Sequence, residues 1–141
     1  MLVNVSYSNK ALTKKIDDEV GKPFTLKERF ALNGIGSPKL FITATSIEIQ
    51  NLLILDNTTN SCNIELRPKG IILRFRSLLE TYALVIPFYK LTIYKGDIGI
   101  YSIFKDHYFF KVRADTKAIQ KFFKKLLDYK ADNTPTSIED L

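Results

Sequence analysis

Cysteine and histidine are nearly missing from this chain, which has only Cys62 and His107. A single thiol excludes an intramolecular disulfide, and one Cys with one His falls short of the four ligands of a structural zinc site. No run approaches the roughly 18 apolar residues of a membrane-spanning helix, so the chain reads as not transmembrane. Met1 to Lys10 lacks the apolar stretch and small-residue cleavage pattern of a secretory signal, and a cytoplasmic location is expected. Asn4-Val-Ser6 and Asn57-Thr-Thr59 fit the glycosylation pattern, which carries no meaning without secretion. Gly34-Ile-Gly36 has neither phosphate-loop pattern and reads as a helix stop followed by a turn. Paired carboxylates or a nucleophile–base pair at a telling spacing do not occur, and His107 stands alone in a turn-like Lys105-Asp106-His107. The reading is a protein that is not an enzyme and needs no cofactor or metal.

What is present is the material of a packed domain. The 141 residues are 45% hydrophobic and 26% charged, ordinary for a globular protein. A fold of this length buries roughly 70% of the surface its unfolded chain exposes. The net charge of +6 sits in the middle, where residues 31–130 carry fifteen basic against eight acidic side chains. That balance favours anionic partners in general and also suits a solvated surface.

Residues 1–39 form an N-terminal extension with possible short helices. Leu12, Ile16 and Val20 lie four apart on one helical face, and Gly21-Lys22-Pro23 breaks it. Thr25-Leu-Lys-Glu28 has capping-box spacing ahead of a two-turn helix to Leu32, which Asn33-Gly34 ends. From Leu40 the period changes to two. Expected strands are Leu40–Ala44, Ile47–Leu55, Cys62–Arg67, Ile71–Arg76, Tyr82–Ile86, Tyr89–Lys95, Ile98–Phe104 and His107–Arg113. Asp56-Asn57, Pro68-Lys69-Gly70, Gly96-Asp97 and Lys105-Asp106 are the expected turns, and neighbours joined this closely must pair antiparallel. A helix over Thr116–Lys130 follows, with Asp115 as its N-cap and Ala118, Ile119, Phe122, Phe123, Leu126 and Leu127 as its apolar stripe. Residues 131–141 read as a flexible acidic tail.

The segments Val85-Ile-Pro-Phe-Tyr-Lys-Leu91 and Tyr108-Phe-Phe-Lys-Val112, with the Ala118–Leu126 helix after them, resemble pleckstrin-homology-like domains, particularly small bacterial ones. The resemblance covers about residues 47–130. It implies a mainly β (α+β) fold: a strongly bent antiparallel barrel or sandwich of about seven strands, closed at one end by the C-terminal amphipathic helix. Residues 40–130 are then the domain proper.

Lys69 follows a turn, and Arg74 and Arg76 project from one face of the strand after it, so three cations could converge on a phosphate group. In the pleckstrin-homology domains this resembles, a similar pattern binds inositol phospholipids. The lysines of the final helix read as its solvated face. Aromatic and basic residues interleave from Tyr89 to Lys111, but they suit strands, and nucleic acid is an unlikely partner. The leading expectation is a binding or scaffolding domain for another protein, including self-association through a sheet edge. Recognition of acidic phospholipid or phosphate through Lys69, Arg74 and Arg76 is the alternative, and a small enzyme of unknown chemistry the third.

Overall fold

The computed structural model describes residues 1–55, 60–96 and 99–133. Its frame is one antiparallel sheet of eight strands: β1 (Leu2–Asn4), β2 (Leu40–Thr45), β3 (Ser61–Arg67), β4 (Gly70–Ser77), β5 (Glu80–Pro87), β6 (Thr92–Lys95), β7 (Ile100–Lys105) and β8 (Tyr108–Arg113). The spatial order is β1-β5-β4-β3-β2-β8-β7-β6, so the fold is mainly β and the sheet ends at β1 and β6 without closing into a barrel. Strand β2 is the corner. Leu40 and Phe41 pair with Cys62 and Ser61 of β3, a register shift follows Ile42, and Ala44 and Thr45 pair with Lys111 and Phe110 of β8. One strand therefore serves both halves of the sheet, and a bulge of this kind bends the strand that carries it.

The inner faces of the two halves share one core. Cys62, Ile64 and Leu66 alternate inward from β3, and Ile71, Leu73 and Phe75 from β4, as their period predicts. Tyr101, Ile103, Phe110 and Val112 meet them from β7 and β8, with the Phe75 and Phe110 rings 5.7 Å apart. The long C-terminal helix α4 is numbered after three shorter ones: α1 (Lys10–Val20), α2 (Leu26–Ala31), α3 (Ile47–Leu53) and α4 (Lys117–Asn133). Helix α4 buries Ile119, Phe122, Phe123 and Leu126, and Phe123 stacks on Tyr101 at 4.2 Å. Ala118 and Leu127 are exposed, so the stripe is narrower than the spacing suggested. Its cap is also one residue later than Asp115, because the Thr116 hydroxyl accepts from the Ile119 amide at 3.2 Å. The helix runs on to Asn133, which takes the first three residues of the expected tail; residues 134–141 lie outside the described residues.

Ile47–Leu55, expected as a strand, is instead helix α3 over Ile47–Leu53. Ile49 and Leu53 lie four apart and are both buried, while Glu48, Gln50 and Asn51 face away. A short apolar run carries no decisive period, and here packing chose the helical one. The helix follows the end of β2 and the Ser77 hydroxyl at the end of β4 donates to the Leu52 carbonyl, so α3 covers the end of the sheet opposite the one from which α4 departs. The expected strand Tyr89–Lys95 begins only at Thr92, since Phe88–Lys90 forms a single 3-10 turn after Pro87. Ile98, the first residue of another expected strand, and the Asp56-Asn57 turn lie outside the described residues, and that strand begins at Ile100.

The first 39 residues are part of this architecture. Strand β1 pairs with β5, and α1 lies on the outer face of β4 and β5, where Ile16 and Val20 pack against Ile72, Ala83 and Val85. That second small core explains why Ile71-Ile72-Leu73 is apolar without alternation: the strand is covered on both faces. Arg67, buried at 6% exposure, locks the layer by donating to Asp17 at 3.0 Å, to the Gly21 carbonyl at 2.8 Å and to Glu65.

Candidate functional site

Lys69, Arg74 and Arg76 do not converge. Lys69 occupies the β3–β4 turn, where its amide donates to the Val20 carbonyl and its own carbonyl accepts from Phe88, each at 2.8 Å. Arg76 lies seven residues along β4, about 23 Å away at 3.3 Å per residue. The structure instead brings Lys39 to Arg74 and Arg76.

These three line a groove of about 970 Å³ on the outer face of the sheet, with Ser61, Asn63 and Thr81 among its walls. Its position follows from register. Glu65, Ile72 and Val85 form one cross-strand row with outward side chains, and α1 covers it. The next outward row is Asn63, Arg74 and Ala83, and beyond it Arg76 pairs with Thr81. The groove is the outer face that α1 leaves uncovered. Lys39 reaches its wall because Leu40, the next residue, is pinned opposite Cys62.

The cations differ in how far they are neutralised. Arg74 donates to Glu65 at 2.8 Å, and the same carboxylate accepts from Arg67. Burial pushes the Glu65 carboxyl up, but the hydrogen bonds and charges of Arg67 and Arg74 outweigh it and hold it below the usual carboxylate range. Arg76 and Lys39 are exposed, and among the described residues neither pairs with a carboxylate. Among the described residues the groove therefore keeps two unpaired positive charges and one shared one.

The lip of the groove is apolar. Leu78 and Leu79 form the β4–β5 turn with 56% and 88% of their surface exposed. Leu78 has φ +56°, a left-handed conformation that costs an L-residue about 1–2 kcal/mol. A two-residue turn made of leucines carries none of the Gly, Asn or Asp that mark such turns, so sequence reasoning left this hairpin without a turn signal. Lys39 was missed as well, because it follows the loop-like Ser37-Pro38 and nothing local ties it to a strand more than thirty residues later.

Of the other singled-out residues, Cys62 borders the groove and the rest do not line it. His107 is exposed at the β7–β8 turn, with Nε2 3.4 Å from Glu48, and does not line the groove. Cys62 is buried and its thiol is pushed up to about 12 by desolvation, which leaves no thiolate for chemistry. Tyr101 and Phe110, two of the aromatics interleaved with lysines, are consumed by the core. Among the described residues no cluster of three or more His, Cys, Asp or Glu is placed to hold a metal ion. The arrangement at the groove can hold an anion and offer hydrogen bonds beside it. No family model, curated protein or solved structure matches this chain.

Proposed function

We propose that this chain is a non-enzymatic binding module that docks an acidic segment of a partner protein in the groove over Lys39, Arg74 and Arg76. The observation that carries this is the pair of cations, Lys39 and Arg76, that no carboxylate among the described residues neutralises, in a concave face beside an apolar lip. Carboxylates of an extended segment meet the cations, its backbone meets Ser61, Asn63 and Thr81, and an apolar side chain rests on Leu78 and Leu79. Electrostatic complementarity of this kind supplies specificity and a salt-sensitive association rate. The domain is read as pleckstrin-homology-like. The antiparallel order β5-β4-β3-β2-β8-β7-β6 followed by α4 is compatible with that superfold and supports the reading.

Anisotropy of a fluorescein-labelled peptide of alternating Glu and Leu tests it. The wild type is expected to bind with strong salt dependence, and Lys39→Glu/Arg76→Glu to bind at least about tenfold more weakly. Equal binding by both would sink the groove. Acidic phospholipid is the competing ligand for the same cations: sedimentation with phosphatidylserine vesicles that this double variant abolishes, without any peptide binding, assigns the groove to lipid.

A further inference from the structure

Helix α2 presents its apolar side outward. Leu26 and Phe30, one turn apart, are 81% and 87% exposed, and no residue of the helix is buried. A helix this short is not stable through its own turns and is ordinarily held by burying an apolar face. Here it is held from its two ends. Thr25 and Glu28 form a reciprocal capping box at 3.2 and 3.0 Å, and at the other end Lys125 of α4 donates to the carbonyls of Asn33 at 3.3 Å and Gly34 at 3.0 Å. Phe24 before the helix is buried edge-on to Tyr129, and Leu32 after it packs on the core. The fold thus spends its contacts on fixing the helix and leaves Leu26 and Phe30 in water.

The surroundings of this prow are basic. Lys27 and Arg29 flank the two apolar side chains on α2, and Lys121, Lys124 and Lys125 line the adjoining surface of α4. Among the described residues the carboxylates nearby are Glu28, engaged in the capping box, with Asp128 and Asp132 on α4. Among these residues cations outnumber carboxylates, which gives the described rim a net positive charge.

We infer that α2 is a membrane-contacting prow, which inserts Leu26 and Phe30 into the interface of an anionic lipid surface while the surrounding lysines and Arg29 meet its headgroups. Two side chains offer on the order of 400 Å², below the roughly 600 Å² that even a small stable protein interface takes from each partner. A bilayer needs no matching pocket, only apolar side chains to insert and charge of the opposite sign. A second copy of this chain is disfavoured as the occupant because two basic rims would face each other. The prow lies outside residues 47–130, the part that resembles pleckstrin-homology-like domains. The link from α2 to Lys39 runs beside β3, with the Leu66 amide donating to Ile35 and the Ser37 amide to Ile64. Helix α2 therefore sits toward the Leu66 end of β3 and the groove toward the Cys62 end. A chain seated through α2 keeps the groove open to a partner.

The full chain has no tryptophan, so Phe30→Trp creates a single reporter at the tip of the prow. With vesicles containing phosphatidylserine its emission is expected to shift to the blue and to resist quenching by iodide; pure phosphatidylcholine vesicles are expected to leave it unchanged. In sedimentation with the anionic vesicles, Leu26→Ser/Phe30→Ser is expected to lower partitioning at least about tenfold, with an unaltered melting transition because neither side chain is buried. Lys39→Glu/Arg76→Glu is expected to leave the blue shift of the Phe30→Trp reporter in place and to lower partitioning much less than Leu26→Ser/Phe30→Ser does, which separates this surface from the groove. Partitioning that survives Leu26→Ser/Phe30→Ser, or an indole that stays water-exposed while the protein sediments, overturns the inference. So does a wild type that does not bind anionic vesicles.

Discussion

At the scale of single residues, the outer layer depends on positions where the sheet leaves no slack. A Cβ at Gly70 would lie 2.3 Å from the Ile86 carbonyl oxygen and 2.7 Å from a Val20 methyl, because the β3–β4 turn, β5 and the end of α1 all meet there. Backbone on one side prevents relief by a rotamer change. Gly70→Ala is therefore expected to cost about 2–3 kcal/mol, read as a lower urea midpoint with an unchanged slope. Glu65 is the second such position. Its folded-state carboxyl titrates below the ordinary 4.5, so the stability it contributes is complete above that value and drains as pH falls through the folded one. Glu65→Gln is expected to lower stability near neutral pH by about 2 kcal/mol, since Arg67 stays buried with one charged partner fewer. The variant is also expected to flatten the acid limb of a stability-versus-pH curve. An unchanged limb would show that other carboxylates dominate acid unfolding. The turn Pro68-Lys69-Gly70 was legible from its residue types, but neither the close approach at Gly70 nor the arginine pair on Glu65 was, because both are made by chain segments distant in sequence.

At the scale of elements, the helices differ in how they earn their place. Helix α4 is held by its apolar side: Phe123 is fully buried on Tyr101, whereas Leu127, on the flank of the same helix, is 38% exposed. Phe123→Ala is expected to cost about 3–5 kcal/mol and Leu127→Ala less than about 1 kcal/mol, compared by thermal or denaturant melts. Deleting residues 115–141 is expected to leave an insoluble or unfolded product, and a soluble truncation with a cooperative melt would contradict that role. The capping box at Thr25 and Glu28 was readable because its bonds join residues three apart. The helical state of Ile47–Leu53 was not. Ser46 has capping geometry, yet its hydroxyl accepts from the Phe109 amide rather than from its own helix, so the element is set by packing across to β8.

At the scale of the whole molecule, two cores on opposite faces of the β4–β5 layer tie the N-terminal segment to the domain. Cys62 lies within the larger one and reports on its integrity. Burial holds the thiol at about 12, so modification by a disulfide reagent in the folded protein at pH 8 is expected to proceed only through opening, at a rate that rises with urea in parallel with global unfolding. Fast labelling without denaturant would mean that the β2–β3 corner opens locally. The period-two strands, the antiparallel pairing of near neighbours, the capping box and the terminal amphipathic helix were determined by the sequence alone, since each rests on hydrogen bonds or side-chain periodicity within a few residues. Tertiary structure decided that α1 covers the outer face, that α3 is a helix, that Lys39 and not Lys69 joins Arg74 and Arg76, and that the apolar side of α2 faces water. The physical reason is the same for all four: each depends on which distant strand lies alongside, and that is fixed by the register and bending of the whole sheet.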